Sequence, residues 1–190
     1  MKKGMLIVVS APSGCGKGTI LAEILKDPGY YYSVSATTRA PREGEVDGKH
    51  YHFLTKEQFE ALIAEDKMLE YAQYCDNFYG TPLPPITEKL EQGKNVILEI
   101  EVQGALQVMK KCPDAVSIFI KPPSVQALRE RLINRGTESL EVIEKRVAEA
   151  EFEIPIAAQY QYNIVNDNLE DAIADFRAVV RAEECKVRKD

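Results

Sequence analysis

The sequence predicts an α/β fold built on a parallel sheet flanked by helices, and three observations predict it. Short apolar runs alternate with segments of helical spacing along most of the chain. The first run is apolar and rich in β-branched residues, which fits a buried parallel strand better than a half-exposed one. It also opens directly into a small-residue loop that ends in a lysine and an amphipathic helix. The 190 residues suffice for one compact domain with a core, and not for two independent large ones.

The first strand is Met5–Ser10 (MLIVVS). The lysines before it give a faint look of an export signal, but the apolar run Met5–Val9 is shorter than the roughly 7–15 residues such a segment needs. From Lys17 to Lys26, Ile20, Leu21, Ile24 and Leu25 recur at helical spacing until Asp27-Pro-Gly29 stops them. The rhythm then breaks from Ser33 to about Pro85. That stretch holds SVSATTRAPREGEVDGKHYHFL, a helical piece opened by Thr55 and Gln58 at capping-box spacing, and MLEYAQYCDNFYG. Turn residues and short β-prone runs predict a small, partly antiparallel insertion. Three further strands are Asn95–Ile100 (NVILEI), Ala115–Ile120 (AVSIFI) and Tyr162–Asp167 (YNIVND). They lead into helical segments at Gln103–Lys111, Ser124–Asn134 and Leu169–Val187, with Asp167 and Glu170 at capping-box spacing before the last. A second insertion is expected around Asn134–Arg146 (NRGTESLEVIEKR).

Composition narrows the function. A net charge of −6 argues against a broad nucleic-acid-binding surface, so an anionic ligand must be held by a local cluster of cations. No run approaches the roughly 18 apolar residues of a membrane span. Cys15, Cys75, Cys112 and Cys185 are scattered without a CxxC pair, and His50 and His52 have no cysteine near them, so neither a disulfide framework nor a zinc site is indicated. Free thiols point to a reducing compartment, the cytoplasm.

The stretch Val8–Thr19 (VVSAPSGCGKGT) reads as a polyphosphate grip. Glycines at 14 and 16 let backbone N–H groups turn inward, the helix N-terminus adds partial positive charge, and Lys17 supplies a full one. Measured against G-x-x-x-x-G-K-[ST], the loop departs twice: Ala11 replaces the first glycine, and Gly18 stands where the hydroxyl is expected, with Thr19 one residue later. Cys15 is read as a small residue filling a variable loop position; the alternative, a thiolate favoured by the helix N-terminus and Lys17, is the minor one.

In SATTRAPREGEVDGKHYHF, Arg39 and Arg42 lie three apart ahead of Tyr51. Arginine's planar fork suits a second phosphate bound bidentately. The neighbouring Glu43, Glu45 and Asp47 equally allow surface ion pairs, and composition alone does not separate the two.

Six blocks in order, SAPSGCGKGT, SATTRAPREGEVDGKHYHF, LEYAQYCDNFYGTP, LEIEVQGA, RGTES and IVND, resemble the guanylate kinase family from about Leu6 to Phe176. The resemblance implies a P-loop NTPase-type α/β fold in one domain. Its core is 1–34 and 86–190, with a mixed α+β GMP-binding insertion at about 35–85 and a helical lid at about 134–150. It implies phosphoryl transfer from ATP to GMP with Mg²⁺. Ser13, Gly14, Cys15, Gly16, Lys17, Gly18 and Thr19 would hold the ATP phosphates, with Asn166 near the adenine. Ser35, Arg39, Arg42, Tyr51 and Tyr79 would line the GMP site, the arginines and tyrosines on its phosphate. Glu70 and Thr81 match the residues that read guanine. Lys17, Arg135 and Arg146 would carry the catalytic charge. Read without the family, Arg129, Arg131 and Arg135 form a solvated basic helix face, and Asn166 is a cap or turn residue.

Glu101 stands where many members carry aspartate, and Glu99 where either acid occurs. Both are assigned to the acceptor side, and Mg²⁺ would be reached through water from Thr19, Glu99 or Glu101, with no direct protein ligand. ATP and GMP are the expected partners, without nucleic acid or membrane, and a homo-oligomer is left open. Two alternatives accompany this reading: a non-catalytic guanylate-kinase-like binding module, and a kinase of the same fold for another phosphorylated acceptor. The intact loop with Lys17 speaks against the first, and Glu70, Thr81 and the arginine pair against the second.

Overall fold

The computed structural model describes residues 3–187; the outermost residues of the expected 1–190 domain lie outside that range. The elements run β1 (Leu6–Ser10), α1 (Lys17–Ile24), β2 (Tyr30–Tyr32), β3 (Ala36–Thr37), β4 (His52–Phe53), α2 (Lys56–Ala64), β5 (Met68–Tyr74), β6 (Asn77–Pro82) and α3 (Leu83–Glu91). Then follow β7 (Asn95–Glu99), α4 (Val102–Lys111), β8 (Val116–Lys121), α5 (Val125–Arg135), α6 (Leu140–Glu153), a 3-10 turn (Ile154–Gln159), β9 (Tyr162–Val165) and α7 (Leu169–Cys185). The chain divides into two compact units, and the division falls within β1.

The first unit comprises 1–8 and 29–115. Its part of the parallel sheet has the order β2-β7-β1, with Tyr30 opposite Asn95 and Tyr32 opposite Ile97. Val96, Ile97 and Leu98 are fully buried, which is why NVILEI carries no polar alternation. The unit also holds a separate four-stranded sheet of order β4-β3-β6-β5, in which β3–β6 and β5–β6 are antiparallel. Ala36, Phe59 and Met68 form its core, and Phe59 stacks on Phe78 with ring centroids 5.4 Å apart. Thr55 and Gln58 form the capping box at the start of α2. β5 contains a bulge: Met68 faces Pro82 and Glu70 faces Thr81, so two steps on one strand match one on the other. Three successive residues, Met68, Leu69 and Glu70, are therefore buried where a regular strand would alternate.

The second unit comprises 9–28 and 116–190. Its sheet order is β1-β8-β9, with β8 and β9 parallel from Ile118–Tyr162 to Lys121–Val165. Ile118, Phe119, Ile120 and Phe176 are fully buried. Ser124 caps α5 and Ser139 caps α6 through their hydroxyls. The cap of α7 is Asn168, whose carbonyl oxygen accepts from the N–H groups of Glu170 (2.8 Å) and Asp171 (3.3 Å). The spacing had favoured Asp167 for that role. Asn168 takes it because β9 and the bend after it carry the extended chain one residue further before the helix begins.

Candidate active site

The loop after β1 has its functional geometry dictated by two glycines. Gly14 (φ +90°) and Gly16 (φ +81°) adopt left-handed backbone that side chains disfavour, and each is also crowded. A Cβ on Gly14 would lie 2.7 Å from Leu132 Cδ2, and one on Gly16 would collide with the Asn166 amide. Gly18 is different: nothing lies within 4 Å of its would-be Cβ. Gly16 caps α1 without offering a side chain to its first turn. The N–H groups of Thr19 and Ile20 both close onto the Gly16 carbonyl at 3.1 Å, which starts the helix at the loop's end. Lys17, half-buried, opens the helix; Ser13 and Thr19 are exposed.

Asn166 is a structural member of this loop rather than a surface turn residue. It is buried, and its Nδ2 donates to the Cys15 carbonyl at 2.7 Å. Its own carbonyl accepts from Arg131 Nη1 at 2.7 Å, while Arg131 Nη2 donates to the Asp167 carbonyl at 3.1 Å. Arg131 is thereby half-buried and pinned to the segment that braces the loop. This overturns its placement on a solvated helix face, and no periodicity in the sequence marks it.

Cys15 fills the loop from inside. It is 1% exposed and packs with Leu128, Leu132, Ile143, Val147 and Ala150. Burial pushes its thiol up to about 12, and the nearby Arg131 and Lys17 charges offset that only in part. The filler reading therefore holds and the thiolate reading fails. In the native protein at neutral pH, iodoacetamide should label the exposed Cys75 and Cys185 and spare Cys15 until the chain is unfolded, as read by peptide mass spectrometry. Prompt native labelling of Cys15 would contradict its burial.

Arg135 ends α5, exposed, just before Gly136 (φ +64°), and its side chain makes no hydrogen bond or ion pair among the described residues. Arg146 lies on α6 with its Nη1 on Glu138 Oε2 at 2.7 Å. Arg129 is held by Glu144 of α6.

The residues expected on the acceptor side all belong to the first unit. Arg39 forks onto Glu45, Nη1 at 3.0 Å and Nη2 at 2.9 Å, and Glu45 also accepts from the Arg42 N–H at 2.7 Å. These contacts hold the Glu45 carboxyl at about 2. The Arg39 guanidinium also lies 5.6 Å from the Tyr51 ring centre, and Tyr51 meets Tyr79 edge-on at 6.3 Å. Arg39, Tyr51 and Tyr79 are thus one cluster, while the Arg42 side chain is exposed beside it. Ser35 is half-buried, its carbonyl accepting from the His52 N–H at 2.8 Å.

Glu70 and Thr81 form a buried polar pair across the bulge. Glu70 is 5% exposed, and Thr81 Oγ1 donates to its Oε1 at 2.6 Å. Burial raises the Glu70 carboxyl above its usual range; the Thr81 hydroxyl and the Lys111 charge pull the other way, and Glu101 adds to the rise. Thr81 has one hydroxyl proton, already given to Glu70, so it can donate to a ligand only by rotating off that carboxylate. Glu99, at the end of β7, accepts from the Tyr32 hydroxyl at 3.1 Å. Glu101 is exposed at the start of α4, close enough to Glu70 and Tyr51 to act on both electrostatically.

The chain is similar to known proteins over nearly its whole length. The sequence pattern of the family described as guanylate kinase matches residues 3–183. A guanylate kinase of Streptococcus thermophilus (strain CNRZ 1066) is 53% identical over 190 residues, covering 99% of this chain and 91% of that protein. One of Halalkalibacterium halodurans is 51% identical over 186 residues, 97% of this chain and 91% of that protein. The crystal structure of guanylate kinase from Anaplasma phagocytophilum is similar with a TM-score of 0.77 at 35% identity, over 98% of this chain and 89% of that one.

Proposed function

The chain belongs to the guanylate kinase family, and on that premise we infer that it transfers the γ-phosphoryl group of ATP to GMP, giving ADP and GDP. The observation that carries the acceptor assignment is the buried Glu70–Thr81 pair. Guanine offers two adjacent donors, N1–H and the 2-amino group, and an ionised carboxylate accepts both. Adenine lacks N1–H and the 2-amino group, so AMP would leave Glu70 buried with the Thr81 hydroxyl as its side-chain hydrogen-bond partner, a mismatch worth on the order of 1–3 kcal/mol.

Phosphoryl transfer asks for alignment and charge more than covalent chemistry. Arg39, Arg42, Tyr51, Tyr79 and Ser35 hold the acceptor in this reading, with the Arg39 fork exchanging Glu45 for the GMP phosphate. The backbone N–H groups from Ser13 to Thr19 hold the donor phosphates, and Lys17, Arg135 and Arg146 offset the charge that spreads over the γ-oxygens. No general base is assigned, because a phosphate monoester is already a competent nucleophile. The segment at about 35–85 is the acceptor-binding insertion and 134–150 the lid of one kinase domain. Thr19, exposed in the first turn of α1, offers a hard oxygen beside the phosphate loop, and on the acceptor side Glu99 or Glu101 could reach a cation through water. That suits Mg²⁺, which keeps several waters and takes most of its other ligands from phosphate. Bound with ATP, it supplies positive charge at the β- and γ-phosphates. Four free cysteines agree with a reducing compartment, the cytoplasm. No helix among the described residues is long and apolar enough to cross a membrane.

The test is ADP formation with ATP, Mg²⁺ and, separately, GMP, dGMP, AMP, UMP and dTMP. Turnover confined to the guanine nucleotides is expected; equal turnover with AMP would refute the role of Glu70. A second expectation concerns the loop brace. Asn166→Ala removes the amide that holds the Cys15 carbonyl, and should raise KM for ATP by about tenfold while KM for GMP stays within about twofold. Steady-state kinetics with each substrate varied in turn checks it, and a rise in KM for GMP alone would count against the brace.

A further inference from the structure

One face of α4 is built around Glu70. Gly104, Gln107 and Lys111 lie three and four residues apart and so share that face. A Cβ on Gly104 would stand 2.7 Å from Glu70 Oε2 and 3.2 Å from its carboxyl carbon. Lys111 Nζ donates to the Leu69 carbonyl at 2.8 Å, and Gln107 Nε2 reaches the Tyr71 carbonyl at 3.4 Å. The two carbonyls flanking Glu70 on the edge strand β5 are thus tied to α4, on either side of the position where the carboxylate meets the glycine. The bulge between Met68 and Glu70 aims the side chain at this face. Gly104 is helical, with no left-handed backbone to explain it, and a glycine inside a helix costs about 1 kcal/mol relative to alanine. The space it leaves is filled by Glu70.

We propose that Gly104 is a positioning residue for acceptor specificity: by yielding its side-chain volume it lets the Glu70 carboxylate sit where it can accept from both donors of guanine. The proposal rests on the GMP-kinase reading above. Any larger residue at 104 must move Glu70, because the neighbour it meets is the carboxylate itself, already fixed at its other oxygen by Thr81. The charged groups acting on that carboxylate are Lys111 of α4 and Glu101 at the start of the helix.

The experiment is a double-mutant cycle with Gly104→Ala, Glu70→Ala and the pair together, reading KM for GMP, KM for ATP and the unfolding temperature. Gly104→Ala should raise KM for GMP by about tenfold or more, with KM for ATP within about twofold. In the Glu70→Ala background the same substitution should cost nothing further, because the obstructing carboxylate is gone. If Gly104→Ala lowers the unfolding temperature, the double variant should recover it. An unchanged KM for GMP in Gly104→Ala would overturn the proposal. So would an undiminished effect of that substitution once Glu70 is removed, or a loss of stability that the double variant fails to recover. Failure of the kinase reading itself shows in a separate arm, as absence of GMP turnover by the unsubstituted chain, and would overturn both.

Discussion

Lys17→Ala is expected to lower kcat by about 10³-fold, with KM for GMP within about twofold of the unsubstituted protein. Gly14 and Gly16 are forced into left-handed backbone, Asn166 clamps the Cys15 carbonyl, and Gly16 leaves the first turn of α1 without a side-chain cap. That geometry survives loss of the Lys17 side chain, since the residue is only half-buried and lies outside the apolar cluster around Cys15. On the proposed reading the backbone N–H groups would still cradle phosphate, so ATP should bind, though less tightly. What should disappear is the ammonium at the helix start, whose value would be greatest when charge spreads over the transferring group. A kcat loss of that size corresponds to about 4 kcal/mol of transition-state stabilisation. Measuring kcat and both KM values separates this from general loosening of the loop, which would move KM for ATP and leave kcat nearly unchanged.

The second large effect is at Glu70. Glu70→Gln keeps the size of the side chain and an oxygen for the Thr81 hydroxyl, so the fold should be undisturbed. It replaces one acceptor by an NH₂ group that faces a guanine donor. We expect kcat/KM for GMP to fall by about 10³-fold, while binding of ATP is spared. The pH dependence gives an independent check. Burial raises the Glu70 carboxyl, and on the proposed reading GMP would need it ionised. KM for GMP should therefore climb as pH falls through that raised value, and the glutamine variant should lack this component. The sign for stability is opposite. A carboxyl raised in the folded state favours folding below its unfolded pKa, and that contribution is lost as pH rises through the folded value. GMP binding and thermal stability should thus respond to acid in opposite directions at this residue.

The alternation of apolar runs and helical segments was legible because buried parallel strands leave a strong mark: β1, β7, β8 and β9 were placed within one or two residues. β2 escaped, being three tyrosines in an edge position after the Asp27-Pro-Gly29 stop. α3 escaped too, because its two prolines at the N-terminus read as the end of the insertion. The site was legible as residue types and spacing, and through family resemblance, but not as contacts. Nothing in the order of residues says that β5 carries a bulge, that Asn166 reaches back to Cys15 across 151 positions, or that Gly104 meets Glu70. Cys15 shows the limit most clearly. Its neighbours in sequence, Lys17 and a helix start, argue for a reactive thiolate, whereas its neighbours in space are leucines, an isoleucine and a valine, and burial wins.

The central claim is transfer of a phosphoryl group between two nucleotides, and following that group tests it most directly. The purified protein would be incubated with ATP labelled at the γ-phosphate, Mg²⁺ and GMP, and the products separated. The account predicts that the label appears in the β-phosphate of GDP, in step with ADP formation. Label appearing only as free phosphate, or remaining in ATP, would contradict it.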